Sequence, residues 1–370
     1  MVSVILAGGG TAGHTSPLIA TAQALKQIDP QVQITCVGTA RGLETRVVPE
    51  AGLDLELVAA VPLPRKVNSD LFKVPSRLLG AVRQAAKILR RHDADVVCGF
   101  GGYASLPAYL AARRLKIPVV IQEQNALPGL ANKIASHFAV AVLVSFPGTP
   151  LRGARFEGLP VRQAITELAE TGRAASSVTA KESFGLAPDL PVLLVSGGSQ
   201  GARSLNNATV DAADRLLAAG IGVLHVWGAK NFHDGLTERV NQTTGARYIP
   251  VGYVDAMERA YAAADVMLAR SGAGTVVEVA TVGLPAILVP LPIGNGEQAR
   301  NAEPLLAVDA AVCIDDGELS ADRLVREVTE LFASPNRLAE MSAAAQQLMR
   351  PGAAGRVARV VLDAAQAGAH

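Results

Sequence analysis

The sequence echoes itself over a long range. GGTAG at Gly9–Gly13 returns as GGSQG at Gly197–Gly201, 188 positions on, each after a short apolar run. DVVCGFGGYA from Asp95 matches DVMLARSGAG from Asp265 at an offset of 170, and IPVVI from Ile117 matches LPAIL from Leu284 at 167. Three matches in one order, at similar offsets, require two halves of common design rather than one continuous core. A length of 370 residues agrees, since compact domains run to about 100–200 residues.

The apolar runs Val2–Leu6, Val96–Gly99, Val119–Ile121, Val192–Val195, Gly222–Val226 and Ala286–Val289 are each followed by a glycine-rich turn and then by a segment of helical period. Runs without polar alternation read as parallel strands buried on both faces, and strands alternating with helices give an α/β architecture. The expected fold is two Rossmann-like, doubly wound parallel-sheet domains. The first should span residues 1–161 and the second 162–348, with a last helix at about 349–367 returning to the first.

The chemistry concentrates in the turns. In AGGGTAGH at Ala7–His14, Gly8, Gly10 and Gly13 fit the dinucleotide pattern G-x-G-x-x-G, in which backbone approaches a phosphate at a helix N-terminus. A dinucleotide site also wants an acid at the end of the second strand to hold the ribose, and the strand Gln31–Val37 ends in Gly38 and Thr39. A nicotinamide cofactor is therefore disfavoured. Tight packing alone needs one or two glycines, not four in six positions. His14 begins the helix, where the positive helix end favours a neutral imidazole able to act as a general base. The turn at Ser196–Ala202 repeats the device with Ser199, so two turns can hold two phosphate groups.

RSGAGTVVE at Arg270–Glu278 places a third glycine turn before a helix, with Glu278 one turn inside as a candidate acceptor for ribose hydroxyls. GNGEQARN at Gly294–Asn301 offers the amides of Gln298 and Asn301 to sugar hydroxyls. QEQN at Gln122–Asn125 offers Glu123 as a base or orienting group, and Asn125 as a sugar contact. Asp93-Ala-Asp95 has the spacing of a metal-binding D-x-D, but it leads into an apolar strand and its echo at Asp265 lacks the first aspartate. It reads as a helix-to-strand connection, leaving helix ends and backbone amides to offset leaving-group charge. Neither a metal nor a cofactor is expected.

Net charge is +1, but residues 1–160 hold 17 Lys+Arg against 10 Asp+Glu, a balance of +7, which leaves −6 for the remainder. Much of the excess lies between Pro62 and Arg91, where Arg65, Lys66, Lys73, Arg77, Arg83, Lys87, Arg90 and Arg91 alternate with apolar residues including Leu71, Phe72, Leu78 and Leu79. This mixture suits an anionic bilayer surface, or else an amphipathic helix with a solvated basic face. Nucleic acid is the poorer match, because no stacking aromatics are interleaved. Cys36, Cys98 and Cys313 sit in apolar stretches with no metal-ligand spacing, as expected of reduced thiols in the cytoplasm. No leader and no spanning segment are read from the sequence.

In order, GGTAGH, GFGGYASLP, IQEQN, SFPG, SGGSQGA, RSGAGTVVE and GEQARNA resemble the bacterial lipid I N-acetylglucosaminyltransferases of glycosyltransferase family 28, over roughly residues 2–350. The resemblance implies the GT-B arrangement of two facing Rossmann-like domains with the site in the crevice. It implies metal-independent, inverting transfer from UDP-N-acetylglucosamine to the C4 hydroxyl of lipid I, at the cytoplasmic side of the membrane. Cell-wall synthesis and division proteins are the implied protein partners. Carried over residue by residue, it puts Glu278 at the donor ribose and Val254 at the uracil. Ser199, Gln200, Ala273, Gly274 and Thr275 surround the donor diphosphate, Arg162 and Asn125 lie on the donor side, and Gln298 reads sugar hydroxyls. Gly10, His14, Gly101, Gly102 and Tyr103 line the acceptor diphosphate pocket, and Thr11 and Gly13 are counted with both substrates. Arg65, Lys66, Leu71, Phe72, Lys73, Leu78 and Leu79 meet the membrane. His14 is the first candidate for the base and Glu123 the second. The family often has Asn where Leu159 stands here and His where Gln122 stands. A related UDP-sugar epimerase, a transferase to another lipid, and a nucleotide-sugar sensor without turnover are the alternatives.

Overall fold

The computed structural model describes residues 1–61, 74–198, 201–293 and 295–368. The chain divides into two compact units, Met1–Arg162 with Gly352–His370, and Gln163–Pro351.

The first unit is built on a seven-stranded sheet of β1 (Ser3–Ala7), β2 (Gln33–Thr39), β3 (Asp54–Val58), β4 (Val96–Gly99), β5 (Val119–Glu123), β6 (Ala141–Val144) and β7 (Ala154–Phe156). The order is β3-β2-β1-β4-β5-β6-β7, and every pair is parallel. Its helices are α1 (Ala12–Ile28), α2 (Glu44–Glu50), α3 (Val74–Arg91), α4 (Ser105–Leu115) and α5 (Leu130–Ala135). The unbroken apolar runs of β1, β4 and β5 are explained by burial on both faces. Alternation then sorts the side chains: Val4 and Leu6 face the α1 side with Leu18 and Leu25, while Ile5 and Ala7 face α3 and α4 with Val82, Leu89 and Tyr109. The α1 side is completed by the last helix of the chain, whose Val357, Val361 and Leu362 join the same core.

The second unit repeats the plan with β8 (Val192–Ser196), β9 (Gly222–Val226), β10 (Arg239–Val240), β11 (Arg247–Val251), β12 (Val266–Ala269), β13 (Ala286–Leu288) and β14 (Ala311–Cys313). The order is β10-β11-β9-β8-β12-β13-β14, parallel except for the edge pair β10–β11. Its helices are α6 (Gln163–Thr171), α7 (Ser177–Ser183), α8 (Arg203–Ala218), α9 (Met257–Ala263), α10 (Ala273–Thr281), α11 (Glu297–Leu306), α12 (Ala321–Phe332) and α13 (Pro335–Leu348), and the returning helix of the first unit is α14 (Ala353–Gly368).

The echo extends to single bonds. Asp95 Oδ2 accepts from the Ser3 amide at 2.8 Å, and Asp265 Oδ2 accepts from the Val192 amide at 2.8 Å. In each unit an aspartate just ahead of the strand across the switch point, β4 or β12, ties down the start of β1 or β8. Asp95 is thus a structural connector at the N-terminal end of the sheet, away from the strand ends where ligands bind in this class.

Candidate active site

In a doubly wound sheet the ligand position is the switch point, where the strand order reverses, at the C-terminal strand ends. In the first unit this lies between β1 and β4. The β1–α1 turn holds Gly9 at φ +156° and Gly10 at φ +97°. The first turn of α1 carries no acid of its own. The β4–α4 loop closes against it. Gly101 and Gly102 both have φ near +80°, and a Cβ at Gly102 would overlap the Gly9 carbonyl, so only glycine permits this approach. A Cβ at Gly101 would stand 3.2 Å from His14 Cδ2 and 3.3 Å from Nε2. Ser105 Oγ fixes the loop from between the Ala7 and Gly101 carbonyls, 2.8 and 2.7 Å away, which share its one hydroxyl proton.

Gly10, Thr11, Gly13, His14, Gly101 and Gly102 therefore form one neighbourhood, with Tyr103 exposed at its margin. His14 is half-buried, and its Nδ1 lies 3.0 Å from Thr11 Oγ1. Burial lowers its pKa and the negative charge of Glu44 opposes that shift, with a net value below the ordinary one. The imidazole is neutral at neutral pH, as a base requires.

Glu44 is the residue that reading the sequence missed. It is fully buried, and its carboxylate accepts from the Gly10 amide at 2.7 Å, the Thr39 amide at 2.8 Å and the Thr39 hydroxyl at 2.9 Å. Side chains at Gly9, Gly38 or Gly42 would overlap it. Strand β2 runs on to Thr39, beyond Val37, because this carboxylate receives its last amide. The signal was present as two glycines, Gly38 and Gly42, flanking the approach to an acid. It was overlooked because the acid lies in the next helix rather than at the strand end.

Glu123 ends β5 and is 2% exposed. It accepts from the Asn125 amide at 2.9 Å, the Gly129 amide at 3.0 Å and Asn132 Nδ2 at 2.9 Å. Burial pushes its pKa up and these donors pull it back, with a net rise. The carboxylate shapes the loop from Asn125 to Gly129, and it stands behind Asn132, which lies beside Gly101. Arg162 is half-buried at the end of the first unit.

In the second unit the corresponding point lies between β8 and β12. Gly198 (φ +79°) and Gly201 (φ +70°) flank residues 199 and 200, and the candidates Ser199 and Gln200 lie outside the described residues. Gly197 abuts Ala202 and Gly201 abuts the Trp227 carbonyl, so neither accommodates a side chain. Helix α8 follows, again without an acid in its first turn.

Across the switch point, Arg270 binds three elements together. Its guanidinium donates to the Val289 carbonyl after β13 at 3.1 Å and to Ser204 Oγ of α8 at 2.8 Å, and it pairs with Asp316 at 2.6 Å. Gly272 caps α10, which starts with Ala273, Gly274 and Thr275 and has no acid in its first turn. Glu278 is half-buried and accepts from Tyr261 Oη at 2.7 Å. Val254 is 9% exposed in the loop after β11. Gln298 Oε1 accepts from the Leu291 amide at 2.9 Å. Asn301 is fully buried and donates to the Ser271 carbonyl at 3.3 Å, so it braces the α10 turn instead of lying open to a sugar.

Of the basic-apolar segment, Arg65, Lys66, Leu71, Phe72 and Lys73 lie outside the described residues. Leu78 and Leu79 belong to α3, whose inner face of Ala81, Val82, Ala85, Ala86, Ile88 and Leu89 is buried. Leu78 packs partly against that core and Leu79 is exposed. Arg77, Arg83, Lys87, Arg90 and Arg91 lie on the exposed face. Among the described residues, no group of three His, Cys, Asp or Glu could hold a metal ion, and no helix is long and apolar enough to cross a membrane. Burial raises the Cys98 thiol and pushes Cys36 up to about 12, so neither is a reactive thiolate.

Residues 4–144 match the glycosyltransferase family 28 N-terminal domain and residues 192–357 the family 28 C-terminal domain. A Cutibacterium acnes protein named UDP-N-acetylglucosamine–N-acetylmuramyl-(pentapeptide) pyrophosphoryl-undecaprenol N-acetylglucosamine transferase is 58% identical over 368 residues, 99% of this chain and 98% of its own. A Nocardioides protein of the same name is 53% identical over 361 residues, 97% of each chain. Among solved structures, that of Acinetobacter baumannii MurG aligns with a TM-score of 0.75 at 27% identity, covering 98% of this chain and all of the other. With both family domains in order and close relatives along almost its whole length, the chain belongs to glycosyltransferase family 28.

Proposed function

We propose that the chain transfers N-acetylglucosamine from UDP-N-acetylglucosamine to the C4 hydroxyl of lipid I, with inversion and without a metal, giving lipid II for peptidoglycan synthesis. The observation that carries this reading is the 58% identity, end to end, with a relative named for that reaction. The chemistry of the turns agrees with it. Each unit presents a glycine turn ahead of a helix free of first-turn acids, which suits a diphosphate.

In this reading the first unit takes the acceptor at Gly10, Thr11, Gly13, His14 and Gly101–Tyr103. The second takes the donor, with Ser199, Gln200, Ala273, Gly274 and Thr275 around the diphosphate, Glu278 at the ribose, Val254 at the uracil and Gln298 at the sugar. Arg162 and Asn125 contribute on the donor side. With Nδ1–H donating to Thr11 Oγ1, His14 Nε2 carries the free lone pair. It takes the proton of the acceptor hydroxyl as the oxygen attacks the anomeric carbon, and the bond to UDP breaks with its electrons leaving on the diphosphate. The α8 and α10 helix ends stabilise that charge. Glu123 orients the loop that carries Asn125. The exposed basic face of α3 and the segment before it hold the protein on an anionic membrane surface, each cation near the lipid contributing about 1 kcal/mol.

The test is incubation with UDP-N-acetylglucosamine, with and without lipid I. UDP release that depends on lipid I supports transfer. Release of free sugar without acceptor indicates epimerase-type chemistry, and binding without turnover indicates a sensor; either result overturns the proposal.

A further inference from the structure

The second unit contains a buried polar circuit that none of the roles above uses. Trp227 Nε1 donates to Tyr248 Oη at 3.1 Å, Tyr248 Oη lies 2.9 Å from His225 Nδ1, and His225 Nε2 lies 3.2 Å from Asn206 Oδ1. Asn206 Nδ2 then donates to the Trp227 carbonyl at 3.2 Å, so the path returns to the residue where it began. His225 is fully buried, Tyr248 and Asn206 are nearly so, and the His225 and Trp227 rings stack at 4.8 Å.

Only one direction of donation satisfies every member. An indole N–H can only donate and a main-chain carbonyl can only accept. Tyr248 Oη must therefore accept from Trp227, leaving its own proton for His225 Nδ1. Asn206 must turn its NH₂ to the carbonyl, leaving Oδ1 to accept from His225 Nε2–H. The imidazole is thus fixed as the neutral Nε2–H tautomer. A second proton would meet Tyr248 Oη with no acceptor for the displaced hydroxyl hydrogen, and burial already holds the pKa down to about 3.

The circuit ends where the second glycine turn rests. Gly201 packs so closely on the Trp227 carbonyl that a Cβ there would overlap it, and Asn231 Nδ2 reaches the same oxygen at 3.4 Å. Asn206 lies in α8, whose N-terminus follows the turn, and Trp227 follows β9, so one set of bonds fixes both the helix and the surface beneath Gly201. We infer that His225, Asn206, Tyr248 and Trp227 are positioning residues that set Gly201 and the start of α8 for a nucleoside diphosphate, acting through the Trp227 carbonyl without touching the ligand. The inference rests on the reading of that turn as the donor diphosphate site.

Nitrogen NMR of the imidazole in the intact protein tests the circuit. His225 is expected as the Nε2–H tautomer, without titration from about pH 5 to about pH 9. Kinetics and UDP calorimetry of Asn206→Leu test its role. KM for the donor and the Kd for UDP should rise about tenfold or more, the usual effect of leaving buried partners unsatisfied, while KM for the acceptor stays unchanged. If Asn206→Leu fails to fold, Tyr248→Phe leaves Trp227 Nε1 and His225 Nδ1 without partners and should give the same donor-selective rise, with His225 still held as Nε2–H by Asn206. An Nδ1–H tautomer, an ordinary imidazole titration, unchanged donor constants in a folded variant, or equal loss for both substrates each overturns the inference. A wild-type protein that binds no UDP refutes the donor-site reading instead, and the NMR result still judges the circuit.

Discussion

His14 and Glu44 are coupled through charge at the first glycine turn. The imidazole faces the loop at Gly101, and the carboxylate lies beneath the turn, bonded to Gly10. His14→Ala is expected to lower turnover about 10²-fold or more, measured as kcat at saturating donor and acceptor, with little change in UDP affinity. Glu44→Gln removes the negative charge that raises the His14 pKa against burial. With that influence gone the pKa falls further, so the acid-side decline of kcat/KM should move to lower pH, while kcat drops because the amide has one acceptor oxygen and leaves either Gly10 or Thr39 without a partner. A pH–rate profile that keeps its acid limb would separate the two residues. At the proposed ribose position, Glu278→Ala should weaken UDP binding by calorimetry, with a stability loss of about 1–3 kcal/mol because the buried Tyr261 hydroxyl loses its acceptor. His14 stood out in the sequence through its position beside a glycine turn, whereas Glu44 did not. A buried acid declares itself only through the donors that surround it, and those come from residues 10 and 39.

Among elements, the glycine turns differ in why they need glycine, and substitutions expose the difference. Gly9, Gly102 and Gly201 press against the Glu44 carboxylate, the Gly9 carbonyl and the Trp227 carbonyl respectively, and each has positive φ. Gly201→Ala should destabilise the second unit by about 1–3 kcal/mol in thermal or denaturant unfolding. Gly274 at the start of α10 has nothing within 4 Å of a built Cβ and no positive φ. Gly274→Ala is expected to leave stability unchanged or raise it by up to about 1 kcal/mol, while weakening donor binding where the methyl meets the diphosphate. The strands were readable because parallel sheets buried on both faces leave uninterrupted apolar runs. The side-chain braces between elements, such as Arg270 to α8 and Asn301 to Ser271, were not readable, because their partners are main-chain carbonyls and hydroxyls that any sequence supplies.

The whole molecule repeats one design twice, down to the aspartates that anchor Ser3 and Val192. That symmetry was visible in the three spaced matches, since two fall on the strands and turns that build the switch points and the third on the next strand, β5 or β13. The units differ in how they are closed. The second is one continuous stretch, whereas the first takes its final helix from the far end of the chain. Deleting residues from Gly352 onward removes Val357, Val361 and Leu362 from the core, each contributing about 1.5–3 kcal/mol when buried. Hydrogen exchange should then show the first sheet losing protection while the second keeps it. The same arrangement orders events during synthesis. When α14 is still inside the ribosome, the later-made unit already has all its strands and helices, and the earlier-made one waits with an apolar face uncovered. The half translated first is therefore finished last, and a chaperone that shields the α1 side of the nascent sheet would find its target there.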